Sequence, residues 1–442
     1  MTPTVIRIRS GQRSAGHVEV RPKRRFAVIL AVAVGVWICG ALMGRAAAQS
    51  VVPGSAEKVC QVVGEFDRER GVPTVNQTES RFGLYGTDLG SSFEFENQLW
   101  VLFGDSIPTA TFNGRDNLSF RDPNYNDSIA HSQTVDPSGC VRLQFNTRPN
   151  GAYASPVIHS RTTPVTLASF EVPLAGVESE DVMYVFFATG YDGKSFSTKS
   201  VVGVSSDGGL NFKYLYTFSN DKFVNIQTAT TGENRDSDDS SDLYGKERFH
   251  GSPFYGRTLW IWGTKGGAGY RHSNPYLAVE RFSALRTGSG TLYYAGDDPS
   301  THRPVFSDKE SDAAELFADN PACMGELSVS RNRYLRRWLM LYYCMATNVV
   351  VMRSAPNPWG PWTASQTIFD PSGDGGYCHF IHVPNCDSVN DPGRENVPGG
   401  PYGGYVVNRL TTGNSRGTTI YYLLSTWNPY TVVLMRSEIR SK

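Results

Sequence analysis

The amino-acid sequence predicts an all-β protein, a five-bladed β-propeller preceded by an N-terminal export signal. After about residue 80, helical periodicity is almost absent, and short β-branched and aromatic runs end at Gly, Pro, Asn or Asp. These runs form five similar pairs, each with a Gly- or Ser-rich strand before a bulkier aromatic one. This order is expected where inner strands crowd around a propeller axis, and it favours a propeller over a pair of β-sandwiches.

The N-terminal segment has the order of an export signal. The basic stretch "RPKRR" (21–25) precedes an apolar run at 26–43, and "AAAQS" (46–50) follows. We expect cleavage after Ala48, although the apolar run also meets the lower length limit for an uncleaved membrane anchor. The predicted parts are a signal peptide or anchor at 1–48, a lead-in segment at 49–80 and the propeller at 81–442. A secreted or cell-envelope location follows.

Composition narrows the choice of partner. Lys and Arg together number 42, as do Asp and Glu, so no net field favours nucleic acid or an anionic surface. An apolar content of 40% is too low for a protein with several membrane spans. We therefore expect a monomer with a neutral partner, no nucleic acid, and membrane contact only through an uncleaved N-terminal anchor.

The cysteines predict disulfides and no metal site. Of the seven cysteines, Cys39 lies in the apolar N-terminal run, which leaves six in the mature chain. An even number in an exported chain favours disulfide bonds, and no pair has the C-x-x-C spacing common in zinc sites. Fifteen pairings of six cysteines exist. Sequential pairing is the simplest of them: Cys60 with Cys140, Cys323 with Cys344, and Cys378 with Cys386.

The five predicted units are identified by their strand pairs. They are "TDLGSSFEF/QLWVLFGDS", "ASPVIHS…VMYVFFATGYD", "GSPFYGRTLWIWGTK", "GELSVSRNRYLRRWLMLYYC" and "YGGYVVNRL…TTIYYLLSTW". A local motif, "SSDGGLNF" (205–212), fits the Asp-box turn, in which an aspartate binds backbone amides and an aromatic residue fills the blade. Its predicted role is structural.

The strongest catalytic candidates are Asp88 and Asp105. If the first strand pair turns at Glu96 and Asn97, the two aspartates are direct cross-strand neighbours, with Cβ atoms about 5 Å apart. Two carboxylates at that distance repel, which raises one pKa and creates an acid beside an ionised partner, as glycosidic hydrolysis requires. Direct pairing also predicts the short carboxyl separation of a retaining glycosidase. The alternative is that Asp105 only caps a turn.

Other polar residues are weaker candidates for binding substrate. Glu326 opens the fourth unit as Asp88 opens the first, so it could bind substrate or act as the acid, or it could pair with an arginine at the rim. Asp127 and His250 each precede a predicted inner strand, and together with His379 they are further predicted substrate-binding residues. The acidic stretch 234–242 lacks the glycine and terminal glutamate of a calcium loop, and His379 and His382 lack a third zinc ligand. No metal or cofactor is expected.

Long, ordered motifs link the chain to a known family. The segments "TDLG…LWVLFGDS", "GELSVS…RWLMLYY", "RSAPNPWGPWT" and "TTIYYLLSTWNPYTVVLMRSEI" strongly resemble a bacterial propeller family first catalogued as a domain of unknown function. That family is associated with endo-D-arabinofuranases of glycoside hydrolase family 183, which act on the D-arabinan of mycobacterial-type cell walls. The resemblance covers residues 81 to 439 and implies that Asp88 and Asp105 are the catalytic pair, with Asp127 and Glu326 lining the pocket.

A second function, from another class, fits the same pattern. A non-catalytic propeller of the cell envelope could keep the sugar-binding pocket without turnover. Exposed rim tryptophans would serve either function by stacking on sugar faces, although packing between blades is the commoner role of tryptophan. The candidates are Trp359, Trp362 and Trp427. Release of oligosaccharides from arabinogalactan separates the enzyme from the binding protein.

Overall fold

The computed structural model describes residues 51–109, 126–191, 193–194, 196–231, 252–254 and 256–441. The predicted export signal, His250 and the acidic stretch 234–242 lie outside these residues. Within them, one α-helix is present, α1 (Thr78–Phe82), and the short 3-10 helices are Pro137–Gly139, Gly267–Gly269, Phe282–Ala284, Glu310–Asp312 and Asn408–Leu410. None of the described helices has the length and apolar character needed to span a bilayer.

The chain enters through a strand and two small strand pairs before the first large sheet. These elements are β1 (Val51–Gln61), β2 (Phe66–Asp67), β3 (Val72–Pro73), α1 and β4 (Leu84–Gly86). The first large sheet contains β5 (Leu89–Phe95), β6 (Gln98–Phe103), β8 (Ser128–Ser132) and β9 (Gln144–Phe145). Between β6 and β8, β7 (Ile107–Pro108) pairs with β4, while β2 pairs with β3.

Four further sheets follow. The second has β10 (Val157–His159), β11 (Pro173–Ser179), β12 (Val182–Thr189), β13 (Lys199–Ser205) and β14 (Asn211–Ser219). The third has β15 (Asn225–Thr231), β16 (Thr258–Thr264), β17 (Tyr276–Arg281), β18 (Leu292–Asp297) and β19 (Pro304–Ser307). The fourth has β20 (Leu327–Asn332), β21 (Arg337–Cys344), β22 (Val349–Ala355) and β23 (Gln366–Phe369). The fifth has β24 (Pro401–Val406), β25 (Thr412–Asn414), β26 (Gly417–Thr426), β27 (Thr431–Ser441) and β1.

The inner strands of the five sheets form a closed ring. β5 contacts β11, β11 contacts β15, β15 contacts β20, β20 contacts β24, and β24 returns to β5. Small residues allow this approach: a Cβ at Gly176 of β11 would overlap the ring of Phe93 on β5. The bulky second strands pack between sheets instead, and every residue of β16 is buried. The predicted all-β, five-bladed propeller is confirmed.

Two of the predicted inner strands are wrong. In the second unit, "ASPVIHS" supplies the outermost strand, β10, which runs parallel to β14, and the inner strand is β11. In the third unit, the inner strand is β15, "NIQTATT", which lies upstream of the predicted "GSPFYG". Neither inner strand contains the aromatic residues by which a buried strand is usually recognised in a sequence. Strands at the propeller axis are buried by the backbones of neighbouring strands, so they do not need large side chains.

The Asp-box prediction is confirmed in the turn between β13 and β14. Oδ1 of Asp207 accepts hydrogen bonds from the backbone N–H groups of Leu210 (3.2 Å) and Asn211 (3.0 Å). Phe212 is fully buried in the core between the first and second sheets. The motif therefore fixes the turn and fills the blade, as predicted from its sequence.

The ring closes between the fifth and first sheets. β1, in the segment predicted to lead into the propeller, pairs antiparallel with the last strand, β27, and becomes the outermost strand of the fifth sheet. A disulfide joins Cys60 on β1 to Cys140, between β8 and β9 of the first sheet. Cys323 pairs with Cys344 and Cys378 with Cys386, so the sequential disulfide pattern is confirmed.

We predict that the disulfide across the closure is the most stabilising of the three. Removing a crosslink restores chain entropy to the unfolded state in proportion to the logarithm of the loop length. Replacing Cys60 and Cys140, separated by 80 residues, with serine should lower the free energy of unfolding by about 4–5 kcal/mol. The Cys378–Cys386 disulfide serves as the comparison. Its cysteines are separated by 8 residues, so replacing both with serine should lower the free energy of unfolding by about 2–3 kcal/mol. Denaturant unfolding measures both changes. Equal decreases in the free energy of unfolding for the two double variants would contradict the prediction.

Candidate active site

The candidate site lies at the end of the ring where the inner strands begin. Asp88 immediately precedes β5, Glu326 immediately precedes β20, and Tyr402 is the second residue of β24. Asp105 follows β6, which runs antiparallel to β5 and therefore ends at the same face. Residues distant in sequence meet here because each inner strand brings its first residues to one opening.

The predicted turn of the first hairpin is confirmed. Glu96 and Asn97 both have positive φ, 49° and 59°, and Phe95 pairs directly with Gln98. A two-residue turn with positive φ at both positions is the type I′ turn, whose twist matches that of the flanking strands. The turn therefore sets the register that the sequence predicts near the tip of the hairpin.

The predicted direct pairing of Asp88 with Asp105 is wrong, because the register changes before the strands reach them. Leu89 pairs with Phe103, so β5 carries an extra residue, a bulge at Gly90 with φ 114°. Asp88 consequently lies opposite Gly104, whose N–H donates to the Asp88 carbonyl at 3.1 Å. The register gives no support to the retaining mechanism inferred from direct pairing.

The bulge places the Asp88 carboxyl over Gly104. A Cβ at position 104 would overlap Oδ1 of Asp88, so only glycine allows this arrangement. Oδ2 accepts a hydrogen bond from the Tyr402 hydroxyl at 3.0 Å, whereas the buried Oδ1 has no hydrogen-bond partner among the described residues. Burial, reinforced by the charge of Glu326, raises the pKa of Asp88 to about 7.

Asp105 is more enclosed, with an exposed fraction of 3%. Its carboxylate oxygens accept the backbone N–H of Phe170 at 3.1 and 3.4 Å, and its carbonyl accepts the Tyr430 hydroxyl at 2.8 Å. Burial and the charge of Asp88 raise the pKa of Asp105 well above its usual value, while the Phe170 hydrogen bond opposes the shift. The charge of Asp88 thus affects the titration of Asp105, the other predicted catalytic aspartate.

Asp127 is a third acidic residue near this pair, and burial and the charges of Asp105 and Asp88 raise its pKa. It precedes β8, the third strand of the first sheet and not an inner strand as the sequence suggested. Its side chain is fully buried, and neither carboxylate oxygen has a hydrogen-bond partner in the described part of the chain. Burial first, then the charges of Asp105 and Asp88, raise its pKa well above the usual value. The structure therefore encloses Asp127 beside the two predicted catalytic aspartates.

Glu326 is brought to the same opening and is paired with an arginine. Its Oε1 accepts a hydrogen bond from the Tyr270 hydroxyl and lies 3.3 Å from Nη2 of Arg271. The guanidinium of Arg271 also lies 5.4 Å from the ring centroid of Tyr402. Glu326 therefore differs from Asp88 in having a fixed countercharge.

The structure does not join the remaining predicted residues to this group. The exposed side chain of His379 lies 3.6 Å from Glu69, and none of its contacts among the described residues reaches Asp88. His382 is buried between Asp387 and the Glu395 carbonyl. Of the tryptophans, Trp359 is buried in the core, Trp362 packs against the same core, and Trp427 is exposed.

Two carboxylates that support the site, Glu171 and Asp391, were not among the residues predicted from the sequence. Glu171 accepts four hydrogen bonds, including the N–H groups of Gly190 and Tyr191, and its charge contributes to the raised pKa of Asp105. Asp391 accepts hydrogen bonds from Tyr85, Arg68, Arg394 and the Tyr430 backbone, and so fixes the position of Tyr430. Neither loop has a recognisable sequence signal.

The aromatic residues of the site were also absent from the sequence-based prediction. They are Phe170, Phe196, Tyr270, Tyr402 and Tyr430. The available signal was position: the tyrosines in "GYRHS", "PYGG" and "WNPY" lie near strand ends equivalent to those that carry the predicted carboxylates. Charged residues at an opening need hydroxyl donors beside them, so tyrosines at the same strand ends are candidates for that role.

No metal site is supported within the described residues. The one candidate group is Cys378, Cys386 and Asp387, but its two cysteines form a disulfide and have no thiolate to offer. A cavity of about 500 Å³ lies toward the far ends of the inner strands and is lined by Ser92, Gln227 and Ser330 among others. Asp88 and Glu326 are not among its lining residues, so it is separate from the carboxylates.

We predict that Asp127 makes the fold less stable as pH rises. A carboxyl whose pKa is raised by folding stabilises the native state below its unfolded pKa, near 4. That contribution is lost as pH rises through the folded pKa, and each pH unit between the two pKa values removes about 1.4 kcal/mol. The melting temperature should therefore fall between pH 5 and pH 8, and Asp127→Asn should reduce the fall. The control is Asp308→Asn, at an exposed loop position; an unchanged slope in Asp127→Asn would contradict the prediction.

Comparisons with known proteins give one family and a set of distant structures. None of the curated proteins matches the chain. A GH43_1 enzyme from Xanthomonas citri, solved with xylose, aligns over 80% of this chain and 87% of its own, with 10% identity and a TM-score of 0.38. An exo-β-1,3-galactanase from Phanerochaete chrysosporium aligns over 87% of this chain and 64% of its own, with 9% identity and a TM-score of 0.41.

A third solved structure is a GH43 β-xylosidase/α-arabinofuranosidase from a compost microbial metagenome. It aligns over 88% of this chain and 95% of its own, with 11% identity and a TM-score of 0.40. The family match rests on the sequence itself and covers residues 74–436. The chain therefore belongs to the family described as "Domain of unknown function (DUF4185)".

Proposed function

We propose that this protein is an exported glycoside hydrolase that cleaves D-arabinan at internal bonds. The observation that supports this most directly is the presence of two acidic residues at the propeller opening, Asp88 and Asp105, whose pKa values are both raised. Glycosidic hydrolysis needs one carboxyl that holds a proton near neutral pH and a second, ionised carboxylate across the scissile bond. Two carboxyls that interact titrate in separate steps, so one can hold a proton while the other is ionised.

Asp88 is the proposed general acid. It is partly exposed at the opening, and its pKa of about 7 keeps a proton available at neutral pH. Since Oδ1 is buried over Gly104, the oxygen that can reach a substrate is Oδ2, which the Tyr402 hydroxyl orients. The proton would pass from Oδ2 to the glycosidic oxygen as the bond to the anomeric carbon breaks, and Tyr402 would stabilise the carboxylate that remains.

The second carboxylate is proposed to be Asp105, held by the Phe170 N–H. This donor favours the ionised form and opposes the upward shift that burial and Asp88 impose on the pKa of Asp105. In the proposed mechanism, Asp105 carries the negative charge that faces the developing oxocarbenium ion. Glu326, paired with Arg271, is proposed to bind substrate hydroxyls. A charge-paired carboxylate makes a strong hydrogen-bond acceptor for sugar hydroxyls.

The choice of D-arabinan rests on the sequence. The motifs around both aspartates resemble the endo-D-arabinofuranase family, and a predicted export signal fits a substrate in the cell wall. A chain with balanced charge also suits a neutral polymer. We therefore propose a secreted or envelope location.

We predict that Asp88→Asn and Asp105→Asn each lower arabinan cleavage by about 10²–10⁴-fold, because the amide keeps the size of the side chain and loses the proton and charge. Glu326→Gln should lower it less. The measurement is the release of oligosaccharides from arabinogalactan by the mature chain. Circular dichroism should show that all three variants keep the fold.

The same assay distinguishes the alternative function. Wild-type protein that binds arabinogalactan but releases no product would be a non-catalytic binding propeller, and the proposed activity would be refuted. If Asp88→Asn cleaves arabinogalactan at the wild-type rate, Asp88 has a structural role and is not the general acid. Asp308→Asn, in an exposed loop, serves as the matched control and should cleave at the wild-type rate.

We also predict the alkaline limb of the pH profile. A general acid with a raised pKa is protonated and active below that pKa and inactive above it. Activity should therefore fall about tenfold per pH unit above about pH 7, the pKa of Asp88. Tyr402→Phe removes a hydrogen bond that favours ionised Asp88, so it should move this limb to higher pH. A shift to lower pH would contradict the assignment.

A further inference from the structure

Two aromatic surfaces, each with at least one exposed ring, flank the carboxylates. The first is formed by loops of the second and third sheets and consists of Phe170, Phe196 and Tyr270. The second is Trp427, on the turn between β26 and β27 of the fifth sheet. Phe170 and Phe196 are each 38% exposed and Trp427 is 40% exposed. A single exposed ring, such as that of Trp427, is ordinary on a protein surface, but the two contiguous exposed rings of Phe170 and Phe196 at a polar opening indicate a functional role.

The first surface is a continuous row of rings. The ring centroids of Phe170 and Phe196 are 5.2 Å apart at 83°, and those of Phe196 and Tyr270 are 4.0 Å apart. The row connects two carboxylates, because the Phe170 N–H donates to Asp105 and the Tyr270 hydroxyl donates to Glu326. A sugar that stacks on these rings therefore lies beside both acidic groups.

The second surface reaches the carboxylates from the other neighbour of the first sheet. Trp427 packs edge-on against Tyr430, with centroids 6.0 Å apart, and the Tyr430 hydroxyl donates to the Asp105 carbonyl. The Arg394 guanidinium lies 4.6 Å from the Trp427 ring centroid, which orients the indole. In the order of the ring, the first sheet, with Asp88 and Asp105, has the fifth sheet on one side and the second on the other.

We propose that these surfaces are two sugar-binding subsites on opposite sides of the scissile bond, one on Phe170, Phe196 and Tyr270 and the other on Trp427. This rests on the proposed function and assigns the residues that hold the chain. The C–H face of a sugar ring packs on an aromatic face, while its hydroxyls stay free for Glu326 and water. Subsites on both sides hold a chain that continues in both directions, which gives internal cleavage.

Phe196 is the residue that tests the first subsite most cleanly. Phe170 has a positive φ of 64° and its backbone holds Asp105, so a substitution there would disturb the catalytic pair as well as the stacking surface. The described contacts of Phe196 are ring contacts with Phe170 and Tyr270. Removing its ring therefore removes stacking area without removing a hydrogen bond to a carboxylate.

The test measures KM, kcat and product length on D-arabinan for Phe196→Ala, Phe196→Trp and Trp427→Ala. Stacking holds the substrate and the transition state equally, so each alanine variant should raise KM about 5- to 20-fold with kcat within about twofold of wild type. Phe196→Trp keeps a ring and should stay within about threefold of the wild-type KM. The control is Phe66→Ala, which removes an exposed ring (52%) on β2 and should change nothing.

Three outcomes decide the matter. Raised KM in both alanine variants, with longer or more scattered products, supports two subsites. Cleavage by the wild type with both alanine variants indistinguishable from Phe66→Ala overturns the subsites and leaves the proposed hydrolase standing. A wild type that neither binds nor cleaves D-arabinan, measured by calorimetry with arabinan oligosaccharides, overturns the proposed function and this inference with it.

Discussion

Closure of the ring between the fifth and first sheets is the constraint on which the site depends. β1 pairs with β27, and β24 packs on β5. This contact brings the hydroxyl of Tyr402 to Asp88 and that of Tyr430 to Asp105. The same contact shapes the backbone, because the Ser425 hydroxyl donates to the carbonyl beside the bulge and a side chain at Gly90 would press on Leu423. The first hairpin alone would leave both aspartates in water.

Burial of several carboxyls at one opening is energetically unfavourable unless protons or hydrogen bonds compensate. The chain uses different means at different residues. Glu171 accepts four hydrogen bonds, and Glu326 pairs with Arg271. Asp88, Asp105 and Asp127 lack an adjacent cation of this kind among their described contacts, and their pKa values rise. Glu171 and Glu326, whose charges are compensated by hydrogen bonds or by a cation, support the site. The three aspartates, whose charges are less compensated, retain the capacity to exchange protons.

Backbone strain is concentrated at the same opening. Leu89, Phe170 and Arg271 all have positive φ, which is costly for residues other than glycine and persists only where surrounding contacts enforce it. Each is adjacent to, or contacts, one of the carboxylates. Leu89 follows Asp88 at the bulge, the Phe170 N–H binds Asp105, and Arg271 pairs with Glu326. Such geometry fixes donors and charges in place before a substrate arrives, which reduces reorganisation during a reaction.

The sequence by itself determined the propeller, the Asp-box turn and the two-residue turn at Glu96 and Asn97, because each depends on local patterns along the chain. Sequential pairing was only the simplest of fifteen possible disulfide patterns, and the structure selected it. It also identified Asp88, Asp105 and Glu326 as residues of strand ends that would meet. The tertiary structure decided the rest. Packing of the fifth sheet on the first places the bulge at Gly90 and shifts Asp88 opposite Gly104. Burial of Asp127 and the supply of hydroxyls from Tyr402 and Tyr430 likewise depend on contacts between sheets, and no local pattern encodes a contact across more than three hundred residues.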